Sequence, residues 1–255
     1  MTEIGFLSEG GAVAFTDGFN SIPNTKTFYT ILKYASDFDT LIIGHPQDHF
    51  LTQNTSASSG VFASIKGLSS SPNIAEKVGI ERDTALINNI NIRYHADQIT
   101  TKIGLDVLRN AKKNNIRITA GTSVHHILFN ELDIGNYRTF FKLKPPLRNN
   151  IDREALTKAI KEGLIDNICS MHTPQDEESK RLPFEEAAPG AVGLETILPA
   201  SLSLYHNKVL TLNQIFRLLA FNPAEIIKKK LGSLEEGYPA DICLLYTSPS
   251  PRDSD

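Results

Sequence analysis

The sequence predicts an α/β fold in which short buried strands alternate with amphipathic helices and pair in parallel. Residues 39–46 (DTLIIGHP), 91–98 (NIRYHADQ), 115–121 (NIRITAG) and 164–172 (LIDNICSMH) each form an apolar β-rich run that ends in polar residues, as expected of a strand covered on both faces. Helical periodicity fills the gaps: Phe28, Ile31, Leu32 and Ala35 share one face, and so do Leu105, Leu108 and Ala111. Strand, helix and strand in succession make a parallel crossover unit. Strands are therefore expected near residues 41–45, 91–97, 115–121 and 166–171. An open sheet and a closed barrel both satisfy this periodicity. No glycine fingerprint for a dinucleotide and no phosphate-cradling glycine loop follows a first strand.

Composition narrows the function classes. A chain of 255 residues, 40% hydrophobic and 22% charged, can bury one sizeable core. A net charge of -3 offers no basic field for nucleic acid or anionic lipid, so neither is an expected partner. No apolar run approaches the ~20 residues of a membrane span, and the start, MTEIGFLSEGG, lacks signal-peptide character; a cytoplasmic protein is expected. Cys169 and Cys243 are the only cysteines, which suits a reducing compartment. The reading divides the chain into a barrel-type domain at 1–230, the start of a small β domain at 231–242, and a tail at 243–255. That tail, CLLYTSPSPRDSD, loses all hydrophobic period and resembles a translated sequencing adapter, so it is set apart from the fold.

Short motifs decide between sheet and barrel. GAVAFTDG, GHPQD, ITAGTSVHH, KPPLR, RLPFEEAAPGAVGLETILP, FNPAEI and GSLEEGYPADI occur in one order and spacing. Together they resemble the second half of a dihydroorotase, over nearly all of residues 1–242. The resemblance implies a partial (β/α)8 TIM-type barrel of the amidohydrolase superfamily, beginning after the early strands and ending just inside the C-terminal β domain, with its site at the carboxyl ends of the strands.

The resemblance also implies a site, and the chain departs from it. Family members interconvert carbamoyl aspartate and dihydroorotate with a zinc-bound hydroxide, whose ligands include a first-strand HxH pair. No HxH occurs in this chain, which begins downstream of that strand. Asp17 in FTDG matches a metal-bridging acid, and His45 in GHPQD matches the fifth-strand ligand. On the sixth strand the family carries HVxHVST, and the matching text here is YHADQIT, with Gln98 in the place of the second His; an amide is a poor zinc ligand. By strand alternation His95 should face away from Gln98. On the eighth strand SDHAPH becomes Ser170, Met171, His172, Thr173, Pro174, Gln175. Met171 takes the place of the catalytic Asp and can neither take a proton nor ligate zinc usefully, while Gln175 takes that of a substrate-binding His. Lys144 stands where NPPLR has its substrate-holding Asn.

Plainer readings stand beside these. Asp17-Gly18 is also a turn dipeptide, and histidines at strand ends are commonly structural. Cys169, in an apolar strand, reads as a small buried hydrophobe rather than a nucleophile. Three functions follow. The first is a non-catalytic dihydroorotase-like protein, without bound zinc, that acts as a structural partner of aspartate carbamoyltransferase and is oligomeric in its full-length form. The second is an active zinc cyclic amidohydrolase completed by upstream residues. The third is a small-molecule binding module with Lys144 and His172 as contacts.

Overall fold

The computed structural model describes residues 2–243, so the tail from residue 244 onward lies outside the described residues. Five parallel strands form one sheet in sequence order: β1 (Ala14–Thr16), β2 (Leu41–Gly44), β5 (Arg93–Ala96), β6 (Ile118–Ser123) and β7 (Asn167–Cys169). A two-stranded parallel ladder, β3 (Ala57–Ser58) with β4 (Ser70–Ser71), sits in the long connection after β2. The expected strands appear at their places, each trimmed or shifted by a few residues at its ends. β1 was legible only as part of a motif, because three residues carry no usable period.

Helices Thr25–Ser36, Ile74–Ile90, Lys102–Lys113 and Asn150–Lys161 make the four crossovers between neighbouring strands. Their starts are set by side-chain caps. Asn24 accepts from the Thr27 amide, Thr101 from Gly104 and Asn149 from Asp152, each satisfying an amide that has no partner within the helix. The faces read from the sequence are the buried ones: Phe28, Leu32 and Ala35 on one helix, Leu105, Leu108 and Ala111 on another. They join Ile42, Ile80, Ile87, Tyr94, Ala120 and Ile168 in one core between helices and sheet.

Strand alternation then sorts the residues. Tyr94 faces the helix layer, where its hydroxyl donates to Asp83 Oδ2 at 2.6 Å. A Cβ at Gly44 would lie 2.0 Å from that hydroxyl, which explains the glycine in GHPQD. His95 and the residues of like parity on β7 face the sheet's other side. Residues 231–242, expected to open a small β domain, are turn and coil in the structure.

Candidate functional site

The residues singled out from the sequence cluster where the strands end, but they line four cavities rather than one. Asp17 and His45 share the first, of about 460 Å³, with Arg82 and Asp83. Asp17 is exposed, in a turn where Gly18 takes φ 66° and the Asn20 amide donates to the Asp17 carbonyl at 3.4 Å. The turn reading and the placement beside His45 therefore hold together.

His45, one residue beyond β2, is 4% exposed, and neither ring nitrogen has a hydrogen-bond partner. Burial, with the charges of Lys144 and Arg148 nearby, pushes its pKa down to about 3, so the ring is neutral. A neutral imidazole with both nitrogens unsatisfied is a ready donor and acceptor.

Both substituted strand-end positions adopt left-handed backbone. Gln98 has φ 56° and Met171 has φ 42°, a conformation that costs non-glycine residues free energy. β5 ends at Ala96 and Gln98 takes a positive φ, so the two-residue alternation used to set His95 apart from Gln98 does not run as far as Gln98. Gln98 is 2% exposed and its Nε2 lacks a partner.

His95 lines a cavity of about 320 Å³ with Asp97, Asn167, Cys169 and Met171. His95 Nδ1 bonds Thr119 Oγ1 at 2.8 Å, and burial drops its pKa to about 4. Asp97 is raised to about 6, with burial the largest cause. The Cys169 thiol is pushed up to about 12 by burial and by Asp97, so it is no nucleophile at neutral pH. Asn167 donates from Nδ2 to Cys169 Sγ at 3.0 Å and leaves Oδ1 unpartnered. Sequence reasoning missed Asp97 and Asn167 as lining residues, although an acid beside a former ligand position was a usable signal for the first.

The KPPLR segment is held from two sides. His126 accepts from Ser123 Oγ at 2.7 Å through Nδ1 and turns Nε2–H to the carbonyls of Pro145 and Pro146 at 3.2 and 3.3 Å. Arg148 sits 3.7 Å from Glu76, whose carboxylate also takes both amides and both hydroxyls of Thr100 and Thr101. Lys144 is thereby placed on the wall of a cavity of about 400 Å³ that it shares with His45.

On the eighth-strand segment, His172 Nδ1 accepts from the amides of Gly193 and Leu194 at 3.2 Å, which fixes the Nε2–H tautomer. Gln175 donates to the Pro189 carbonyl at 3.2 Å and lines a fourth cavity with His125. A Cβ at Gly193 would lie 2.0 Å from the Ser170 carbonyl, so GLETILP needs glycine there.

Zinc does not fit these residues. Among the described residues no three His, Cys, Asp or Glu side chains converge to hold a metal ion. Gln98 and Met171, the positions which the resemblance assigns to a metal ligand and the catalytic acid, carry an amide and a thioether. No helix among the described residues is long and apolar enough to cross a membrane.

Comparison with known proteins accounts for this layout. Residues 7–253 match the Amidohydrolase family. The chain is 36% identical over 246 residues to a dihydroorotase of Ehrlichia canis, covering 96% of this chain and 55% of that one. It is 40% identical over 243 residues to one of Listeria innocua, covering 94% and 56%. It thus spans about half the length of the curated relatives it matches. Among solved structures, the L-hydantoinase of Arthrobacter aurescens superimposes with a TM-score of 0.81 at 21% identity over 92% of this chain and 56% of that one. The dihydroorotase of Saccharomyces cerevisiae does so with a TM-score of 0.66 at 17% identity over 81% and 55%. Parallel strand order, motif order and these matches agree: the chain belongs to the amidohydrolase family, is similar to its dihydroorotases, and forms part of their (β/α) barrel.

Proposed function

We propose that this chain is part of a dihydroorotase-like protein of pyrimidine biosynthesis that does not catalyse and instead serves as a structural partner of aspartate carbamoyltransferase. What supports the reading is that Met171 and Gln98 occupy the sequence positions which the resemblance assigns to the family's catalytic acid and to a metal ligand. A thioether cannot accept a proton from water, and an amide binds zinc poorly, so neither the base nor the metal-polarised nucleophile is supported. The unpartnered Gln98 Nε2 and the left-handed backbone at both positions fit a site kept in outline without its chemistry.

The test is zinc content by elemental analysis alongside turnover of dihydroorotate, both on the unmodified full-length protein. The expected outcome is substoichiometric zinc and no turnover. Stoichiometric zinc with steady turnover would overturn the reading in favour of an active zinc amidohydrolase. The partner is tested by gel filtration of the full-length protein with the aspartate carbamoyltransferase of the same organism; separate elution sinks the structural role.

A further inference from the structure

We propose that the outer face of the helix Val61–Lys66, with Leu132 and Tyr137 on its flanks, is a two-fold contact surface that binds a second copy of this chain. The helix joins the two strands of the β3–β4 ladder. Its inner side is occupied: Ala63 is 1% exposed, and Phe62 packs beside it in a small cluster with Leu68, Ile134 and Leu147, apart from the main core. Its outer side is bare. Val61 and Ile65 are 76% and 77% exposed, and their spacing of four sets them side by side on one helix face. Apolar exposure continues past both ends of the helix. At the first end the Glu131 carboxylate lies 3.8 Å from where a Gly60 Cβ would stand, and Leu132 beside it is 66% exposed. At the other, Tyr137, 45% exposed, donates its hydroxyl to the Lys66 carbonyl at 2.8 Å. A stable dimer buries about 800 Å² on each partner, more than one short helix offers, and these flanks extend the face. Continuous apolar surface of this kind marks a contact site, whereas single exposed residues do not.

The charges select the occupant. Glu131 marks the Gly60 end of the helix and Lys66 the other end, roughly 9 Å further along its axis. Neither enters an ion pair among the described residues. Lys66 Nζ lies instead 5.1 Å from the centroid of the Tyr137 ring and 3.4 Å from Asn136 Oδ1. Burial, with the Asp152 charge nearby, raises the Glu131 pKa, the direction expected of a carboxylate that lacks a cation. A two-fold axis through the middle of the helix, perpendicular to it, sets two copies antiparallel. Val61 then meets the second copy's Ile65, and Lys66 meets the second copy's Glu131. Parallel pairing would oppose Lys66 to Lys66 and Glu131 to Glu131, so complementarity favours the antiparallel, self-matching arrangement.

None of these six residues lines the four cavities at the strand ends. The surface is therefore independent of whether that site catalyses, and it is a contact between like chains rather than with a carbamoyltransferase.

The test is analytical ultracentrifugation of the full-length protein. A dimer with a dissociation constant on the order of 1 μM or tighter is expected. Val61→Asp combined with Ile65→Asp sets carboxylates against each other across the axis and should weaken the dimer at least about 100-fold. Both side chains are exposed, so this variant should keep the wild-type melting temperature. The charge pair gives a second readout that does not depend on that variant. Lys66→Glu alone and Glu131→Lys alone should each dimerise more weakly than wild type, because each opposes like charges twice. Mixed together, the two should form a heterodimer tighter than either homodimer, since both contacts then join opposite charges. A monomer at about 100 μM overturns the proposal, as does a dimer indifferent to the aspartate pair or a mixture with no heterodimer preference. Loss of carbamoyltransferase co-elution in the aspartate variant, with its own dimer intact, also overturns it and gives the face to that enzyme.

Discussion

Two groups of buried polar residues lie close together in this barrel and are treated in opposite ways. Around Glu76 almost every donor has an acceptor: Thr100, Thr101 and Gln47 donate to its carboxylate, and Arg148 bonds Thr100, Ser58 and Asn73, leaving one guanidinium nitrogen 3.7 Å from Glu76. At the strand ends His45, Gln98, Thr122, His125 and Asn167 each leave buried polar atoms unpartnered. The first group ties β5 and the KPPLR segment to the helix Ile74–Ile90. The second group contributes little to stability as it stands, and its retention in the interior is best explained by something other than folding.

The sharpest way to break this contrast is to remove Glu76. Glu76→Ala leaves the buried Arg148 charge without its carboxylate and five donors without their acceptor, so a loss of about 3–5 kcal/mol is expected in chemical denaturation. A loss under about 1 kcal/mol would show that the network is ornamental.

Acid should act through the buried histidines. The pKa values of His45 and His126 lie at about 3 and that of His95 at about 4, against 6.5 for a free imidazole. Each is a base with a depressed folded-state pKa, so the unfolded chain takes the proton first; stability is whole above pH 6.5 and falls as pH drops towards 4. A loss of about 2–4 kcal/mol between pH 6.5 and 5 is expected by denaturant titration, allowing for relaxation around buried groups. A flat profile across that window would mean the histidines are already solvated.

Asp97 works in the opposite sense and gives a smaller effect. Its folded pKa of about 6 lies above the usual 3.8, so the carboxylic acid is the form the fold prefers. Its contribution is present below pH 3.8 and lost as pH rises through 6. Asp97→Asn should therefore raise stability by about 1–2 kcal/mol at pH 7 and change little at pH 4. Equal effects at both pH values would place Asp97 in water.

How much of this was legible in the sequence follows from which interactions are local. Leu41–Gly44 and Ile118–Ser123 announce themselves because a doubly covered strand must be apolar along its length. His45 and Lys144 were found through motifs, and the structure brings them to one cavity. The facing of His95 was argued from an alternation that stops short of Gln98, because β5 ends at Ala96 and a positive φ at a non-glycine residue has no sequence signature. The Glu76–Arg148 pair was invisible because its members come from distant segments joined only when the strands align. Asn167 was missed for the same reason: a lone polar residue in a strand declares its surroundings only once its neighbours are placed.

The smallest expected effect is the most informative about the strand ends. His45→Leu removes two unpartnered ring nitrogens and keeps an apolar body of similar size in a site that is 4% exposed. No hydrogen bond is lost, and the desolvation cost of two polar atoms disappears, so at pH 7 stability should change by no more than about 0.5 kcal/mol and can rise. At pH 7 an unfolded histidine is mostly neutral as well, which keeps proton linkage out of the comparison. The same substitution should make the acid limb shallower, since one of the buried histidines with a lowered pKa is gone. Equilibrium denaturation of the variant at pH 7 and pH 5 checks both parts. A loss above about 2 kcal/mol at pH 7 would show that His45 is held by bonds to groups that belong to the fold, and the contrast with Glu76 would fall.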